Sequence, residues 1–128
     1  MATIAKKVLI IEDSRFVREA LRQTLVKQGY EVTTAADGEE GWTSAIAAPP
    51  DIIVMDWLVP RVNGSALMQR FQEDSRTCDI PVFVVSARAK ECEMDTTGTH
   101  KISGFIQKDS VVLARLVQTL GQLSAQPS

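Results

Sequence analysis

Asp51-Ile52-Ile53-Val54-Met55-Asp56-Trp57-Leu58-Val59-Pro60, with Gly64 following, decides the fold. The apolar run between the two aspartates is short and bounded by charge and proline, so it reads as a strand. Working outward, the same pattern recurs. Val8-Leu9-Ile10-Ile11 ends in Glu12-Asp13, Val82-Phe83-Val84-Val85 ends in Ser86, and Phe105-Ile106-Gln107 ends in Lys108. Each run delivers a polar or charged side chain at its C-terminal end. In an open parallel sheet those ends face one crevice, where such folds bind ligands. Three carboxylates, a hydroxyl and an ammonium are therefore expected in one pocket.

The 128 residues suffice for one domain with one core. With 45% hydrophobic and 23% charged residues the composition is that of a soluble globular protein. A net charge of -2, with signs mixed along the chain, offers no basic field for nucleic acid. Cys78 and Cys92 form no CxxC motif and read as free thiols in a reducing compartment. No run has the length of a signal-peptide core or a membrane span, so membrane insertion is not expected and the expected location is cytoplasmic.

Strands and helices alternate, the order of an α/β fold with a parallel sheet. Strands are expected at Lys7–Ile11, Glu31–Ala35, Ile52–Met55, from Val82 after Pro81, and at Gly104–Gln107. Helix one starts near Ser14, carries Phe16, Val17, Ala20, Leu21 and Leu25 at helical spacing, and stops at Gly29. Helix two opens at Asp37, a cap that Glu40 can complete, buries Gly41, Trp42, Ala45 and Ile46, and ends at Pro49-Pro50. Helix three begins at or just after Asn63, with Gly64, Leu67, Met68 and Phe71 on one face. The last helix runs from about Val111 to Leu123, buried through Leu113, Leu116, Val117 and Leu120. A fourth helix should lie between Ala89 and Ser103. Thr96-Thr97-Gly98-Thr99 are weak helix formers, so it is expected to be short, displaced or mobile. His100, Cys92, Glu93 and Asp95 match no zinc spacing and read as a solvated loop.

Asp56 is a candidate nucleophile, since a carboxylate can accept a phosphoryl group as an acyl phosphate. Phosphoryl transfer needs positioning and charge neutralisation. Glu12, Asp13 and Asp56 would repel one another and an incoming phosphate unless a hard divalent cation such as Mg²⁺ joins them. Lys108 can pair with the phosphoryl group, and Ser86 can donate to one of its oxygens.

On Glu12-Asp13, Asp56 with Pro60 and Gly64, Ser86-Ala87 and Lys108, in this order and spacing, the chain from about Lys6 to Leu123 resembles the receiver domains of two-component response regulators. The resemblance implies a doubly wound α/β fold with a five-stranded parallel sheet, flavodoxin-like order 2-1-3-4-5, and helices on both faces. It implies a single domain over residues 1–128, with a core of about 6–123 and a polar tail 124–128. Asp56 would be the phosphoacceptor. Glu12, Asp13, Asp56 and the backbone carbonyl of Leu58 would hold Mg²⁺, directly or through water. Ser86 would be the switch hydroxyl, Phe105 the aromatic switch position and Lys108 the phosphate-binding lysine. The implied donor is a sensor histidine kinase or a phosphotransfer protein. The implied output is a protein partner docked on the face of helix four, strand five and helix five. Only self-phosphorylation and self-dephosphorylation are implied, with no separate substrate.

The chain departs from the family at Asp109, where proline is usual. The expectation is either a trans Lys108–Asp109 bond with Lys108 shifted or a strained cis bond, which costs ~2.5–4 kcal/mol before a non-proline residue. Asp109 or Ser110 can instead cap the last helix. Leu58 and Arg88 flank the site mouth at positions that tune phosphoryl lifetime in the family. Leu58 cannot orient a water, so slow self-hydrolysis is expected. Too few residues follow Leu123 for a DNA-binding motif, so direct nucleic-acid contact is not expected; a stand-alone receiver, a relay intermediate and a domain cut from a longer chain remain open. The alternatives are a degenerate receiver that binds partners without phosphate, a haloacid-dehalogenase-type phosphatase and a flavin-binding protein. The second lacks its general acid at Leu58, and Glu12-Asp13 would repel a flavin phosphate.

Overall fold

The computed structural model describes residues 6–57, 64–87, 102–109 and 111–125, the last four of these in backbone alone. Each apolar run forms a strand: β1 (Lys7–Ile11), β2 (Glu31–Ala35), β3 (Ile52–Asp56), β4 (Val82–Ser86) and β5 (Gly104–Gln107). All neighbours pair in parallel, in the order β2-β1-β3-β4-β5. The order reverses between β1 and β3, which places a crevice at their C-terminal ends. Central strands of such a sheet are covered on both faces, and β1, β3 and β4 are accordingly near-continuous apolar sequence. The edge strand β2 alternates in burial instead.

The described helices are α1 (Arg15–Lys27), α2 (Gly38–Ala47), α3 (Gly64–Glu73) and, after β5, α4 (Val112–Ala125). Alternate side chains of each strand point to opposite faces. Leu9, Ile11, Ile53, Met55, Val82 and Val84 meet Ala45 of α2 and Leu67, Met68 and Phe71 of α3. Val8, Ile10, Ile52, Val54, Phe83, Val85 and Ile106 meet Leu21 and Leu25 of α1 and Leu116 and Leu120 of α4. The expected fourth of five helices falls almost wholly outside the described residues.

The helix ends follow local chemistry. Ser14 caps α1 by accepting from Val17 N at 3.3 Å. At its other end Gly29, with φ 94°, lets Gly29 N donate to Val26 O and Tyr30 N to Leu25 O, a Schellman closure. Asp37 caps α2 by accepting from Glu40 N at 2.8 Å, while Glu40 reaches back to Ala36 N at 3.3 Å.

Several expectations need correction. Phe16 is not part of the buried stripe of α1; it is 84% exposed. The stripe is the row Val17, Leu21 and Leu25, and Phe16 stands 100° away from it around the helix. Trp42 and Ile46 of α2, and Leu113 and Val117 of α4, are half-buried. Val111 precedes the last helix and is exposed. β3 runs one residue further than expected, so Asp56 is its final residue.

Candidate functional site

Glu12 and Asp13 follow β1 directly, and Asp56 ends the neighbouring β3. Register pairs Asp56 with Val85, one residue before Ser86. Ser86 in turn lies opposite Gln107, one residue before Lys108. Hydrogen bonding between neighbouring strands thus gathers residues that are 96 and 52 positions apart in sequence.

The Lys108 ammonium bridges two acids. Its Nζ lies 2.5 Å from Glu12 Oε1 and 2.9 Å from Asp56 Oδ2. The Glu12 side chain is 2% exposed, that of Asp56 12%, and that of Lys108 23%. Asp13, exposed at the mouth, completes a group whose ligand oxygens all lie within 4.8 Å of one another. Three carboxylates against one ammonium leave this end of the sheet with excess negative charge. An all-oxygen donor set of this kind suits a hard divalent cation.

Desolvation dominates the titration of Glu12. Burial raises its pKa from 4.5 to about 7. The bonds from Lys108 and Ser14 N work against that rise, while Asp13 and Asp56 add to it. For Lys108, burial disfavours the charged form, but the bonds to Glu12 and Asp56 outweigh it and the net shift is upward. Both Glu12 oxygens are engaged, because Oε2 accepts from Ser14 N at 3.0 Å.

The surrounding backbone is pinned. Arg18 Nη1 donates to the carbonyls of Glu12 and Asp13 at 3.0 and 3.4 Å, fixing the turn between β1 and α1. Lys108 N donates to Ser86 O at 2.8 Å, and the Gln107 amide donates to Ala87 O. Gly64 N donates to Trp57 O at 2.9 Å, closing the chain on either side of residues 58–63. A Cβ on Gly64 would lie 2.6 Å from Trp57 Cε3 and from Trp57 O, so only glycine admits this approach.

Glu12, Asp13, Asp56 and Lys108 converge, with Ser86 buried at the adjoining strand end. Phe105 is half-buried and packs against the core cluster under α2 and α3. Leu58, Arg88 and the other residues of 58–63 and 88–101 lie outside the described residues, so the carbonyl expected of Leu58 and the tuning expected of Leu58 and Arg88 stay with the sequence argument. The Lys108–Asp109 bond corrects both expected geometries: it is trans, and Lys108 still reaches Asp56. Asp109 rather than proline makes the turn, with its Oδ1 accepting from Val111 N at 3.0 Å. Arg18 and Gln107 were not expected at the site. Their partners are backbone carbonyls, which carry no signature in sequence; the only hint is that Arg18 stands one turn into α1 and Gln107 beside Lys108.

Among the described residues no helix is long and apolar enough to cross a membrane. Residues 8–120 match the model of the response regulator receiver domain. The chemotaxis protein CheY1 of Helicobacter pylori is 31% identical over 104 residues, 80% of this chain and 84% of that protein. The DNA-binding dual master transcriptional regulator RpaA of Synechocystis is 37% identical over 81 residues, 63% of this chain but 34% of that protein. The chain thus spans about a third of the length of that curated relative. Among solved structures, the chemotaxis response regulator CheY4 of Vibrio cholerae superposes with a TM-score of 0.82 at 28% identity, over 94% of this chain and 99% of that one. With the sheet order and the strand-end residues already described, these likenesses establish that the chain belongs to the response regulator receiver domain family.

Proposed function

We propose that this receiver domain accepts a phosphoryl group on Asp56 in a two-component or phosphorelay system. The observation that carries the reading is the Lys108 ammonium held across Asp56 and Glu12, with Asp13 beside them. A carboxylate poised next to a cation, at a rim open through Asp13, is the arrangement phosphoryl transfer asks for.

An Asp56 carboxylate oxygen attacks the phosphorus of the donor. The new bond is a P–O bond to Asp56. The bond that breaks is the P–N bond of a phosphohistidine, whose electron pair stays on the departing imidazole, or the P–O bond of acetyl phosphate, which releases acetate. Lys108 shifts its hydrogen bond from the Asp56 carboxylate to a phosphoryl oxygen. The Ser86 hydroxyl, at the adjoining strand end, donates to another.

The acid cluster fits Mg²⁺. Asp13 and Asp56 would hold it directly. Glu12, whose two oxygens already have partners, would act through water, and the Leu58 carbonyl would complete the protein ligands. When bound, the cation would supply neutralisation of the carboxylates and of the phosphoryl oxygens. Slow hydrolysis of the acyl phosphate ends the signal, so no separate substrate is turned over. The donor is a sensor histidine kinase or a phosphotransfer protein, in the cytoplasm. The output is a protein partner on the side of β5 and α4, reached through Ser86 and Phe105.

Intact mass after acetyl phosphate with Mg²⁺ tests the reading. One added phosphoryl group on the wild type and none on Asp56→Asn is the expected result. No addition to the wild type, with either acetyl phosphate or a phosphohistidine donor, overturns it in favour of a phosphate-independent binding module.

A further inference from the structure

Lys108 must leave β5 in one direction for its ammonium to reach Glu12 and Asp56. The residue after it is Asp109, which has no ring to set its backbone. Hydrogen bonds do this instead. Asp109 N donates to Gln107 O at 3.2 Å, and Val112 N donates to Asp109 O at 3.1 Å. Asp109 Oδ1 accepts from Val111 N at 3.0 Å, and Oδ2 lies 3.2 Å from Arg115 Nη2 in the first turn of α4. On the other side Lys108 N is bonded to Ser86 O, and the Gln107 amide to Ala87 O. The Lys108 backbone is therefore anchored to β4 through residues 107–108 and to the start of α4 through Asp109.

We propose that Asp109 is a positioning residue for phosphoryl transfer: its carboxylate fixes the turn out of β5 and so holds Lys108 across Glu12 and Asp56. The proposal rests on Asp56 being the acceptor. The ion pair to Arg115 is half-exposed, and such pairs contribute little alone. The main anchor is the bond from Val111 N, a donor that the helix itself cannot satisfy. The side chain's hold on Lys108 has two opposed consequences. It keeps the ammonium where a phosphoryl group arrives. It also keeps that ammonium in competition with a divalent cation for the same carboxylates. Releasing the turn therefore slows transfer and tightens cation binding. General damage to the fold would weaken both, so the opposite signs distinguish positioning from a structural role.

The test uses the full chain and three variants, Asp109→Ala, Asp109→Asn and Arg115→Gln. Mg²⁺ affinity is read by calorimetry, and phosphorylation by intact mass against time with acetyl phosphate at saturating Mg²⁺. For Asp109→Ala the rate is expected to fall ~10- to 100-fold, the scale of a catalytic group displaced by an ångström. Its Mg²⁺ affinity is expected to rise. Asp109→Asn keeps an oxygen for Val111 N and should restore most of the rate, as should Arg115→Gln. An unchanged rate in Asp109→Ala overturns the proposal, as does a fall in both rate and Mg²⁺ affinity. A wild type that takes no phosphoryl group sinks the acceptor reading instead, and this proposal with it.

Discussion

Glu12 makes the metal-free domain less stable as pH rises through neutrality. Its carboxyl is buried, and its pKa lies at about 7 in the folded chain against 4.5 for the free group. The folded state thus holds a proton that the unfolded chain releases. The stability gained is fully present below about pH 4.5 and is lost as pH rises through 7. That difference corresponds to about 3 kcal/mol, most of which is lost between pH 5 and pH 8. Urea unfolding in EDTA, followed by tryptophan fluorescence at several pH values, measures it for the wild type and Glu12→Gln. The wild-type stability minus that of the variant should drop by roughly 2–3 kcal/mol from pH 5 to pH 8. With Mg²⁺ present, the cation favours the ionised form of Glu12, so the apparent Mg²⁺ affinity should fall as pH drops below 7. A pH-independent difference, or one that grows with pH, would refute the reasoning, because burial of Glu12 would then carry no proton into the fold.

Lys108→Met removes the ammonium that Glu12 and Asp56 share, leaving two confined carboxylates uncompensated. It should destabilise the metal-free protein at pH 8 by up to about 3 kcal/mol in urea titrations, and Mg²⁺ should recover part of the loss. Gly64→Ala drives a Cβ to 2.6 Å from the Trp57 ring and carbonyl. The expected cost is about 1–3 kcal/mol with a shifted Trp57 emission; an unshifted spectrum at wild-type stability would contradict the close approach.

The central strands were legible because burial on both faces demands unbroken apolar runs, as in Ile52–Met55 and Val82–Val85. The convergence of Glu12, Asp13, Asp56 and Lys108 was legible for a related reason. Each follows or ends such a run, and parallel pairing brings those ends together. Phe16 was misread because a pattern of apolar residues does not specify which of two adjacent helical rows faces the sheet; one residue of rotation separates Phe16 from Val17. The Glu12 shift was beyond reach, since it depends on how deeply the carboxyl sits and on what faces it. The Lys108 geometry was misjudged for a different reason. Without proline, a trans bond was expected to shift Lys108, whereas Lys108 still reaches Asp56; the cap that Asp109 offered in sequence is made, its Oδ1 accepting from Val111 N.

The most direct measurement reduces the phosphorylated chain with borohydride and locates the product by tandem mass spectrometry. An acyl phosphate on aspartate becomes homoserine under these conditions. The account predicts homoserine at residue 56 alone, dependent on Mg²⁺ and absent from Asp56→Asn. Homoserine at residue 13, or a phosphoryl group that resists reduction and sits on a hydroxyl, would contradict it.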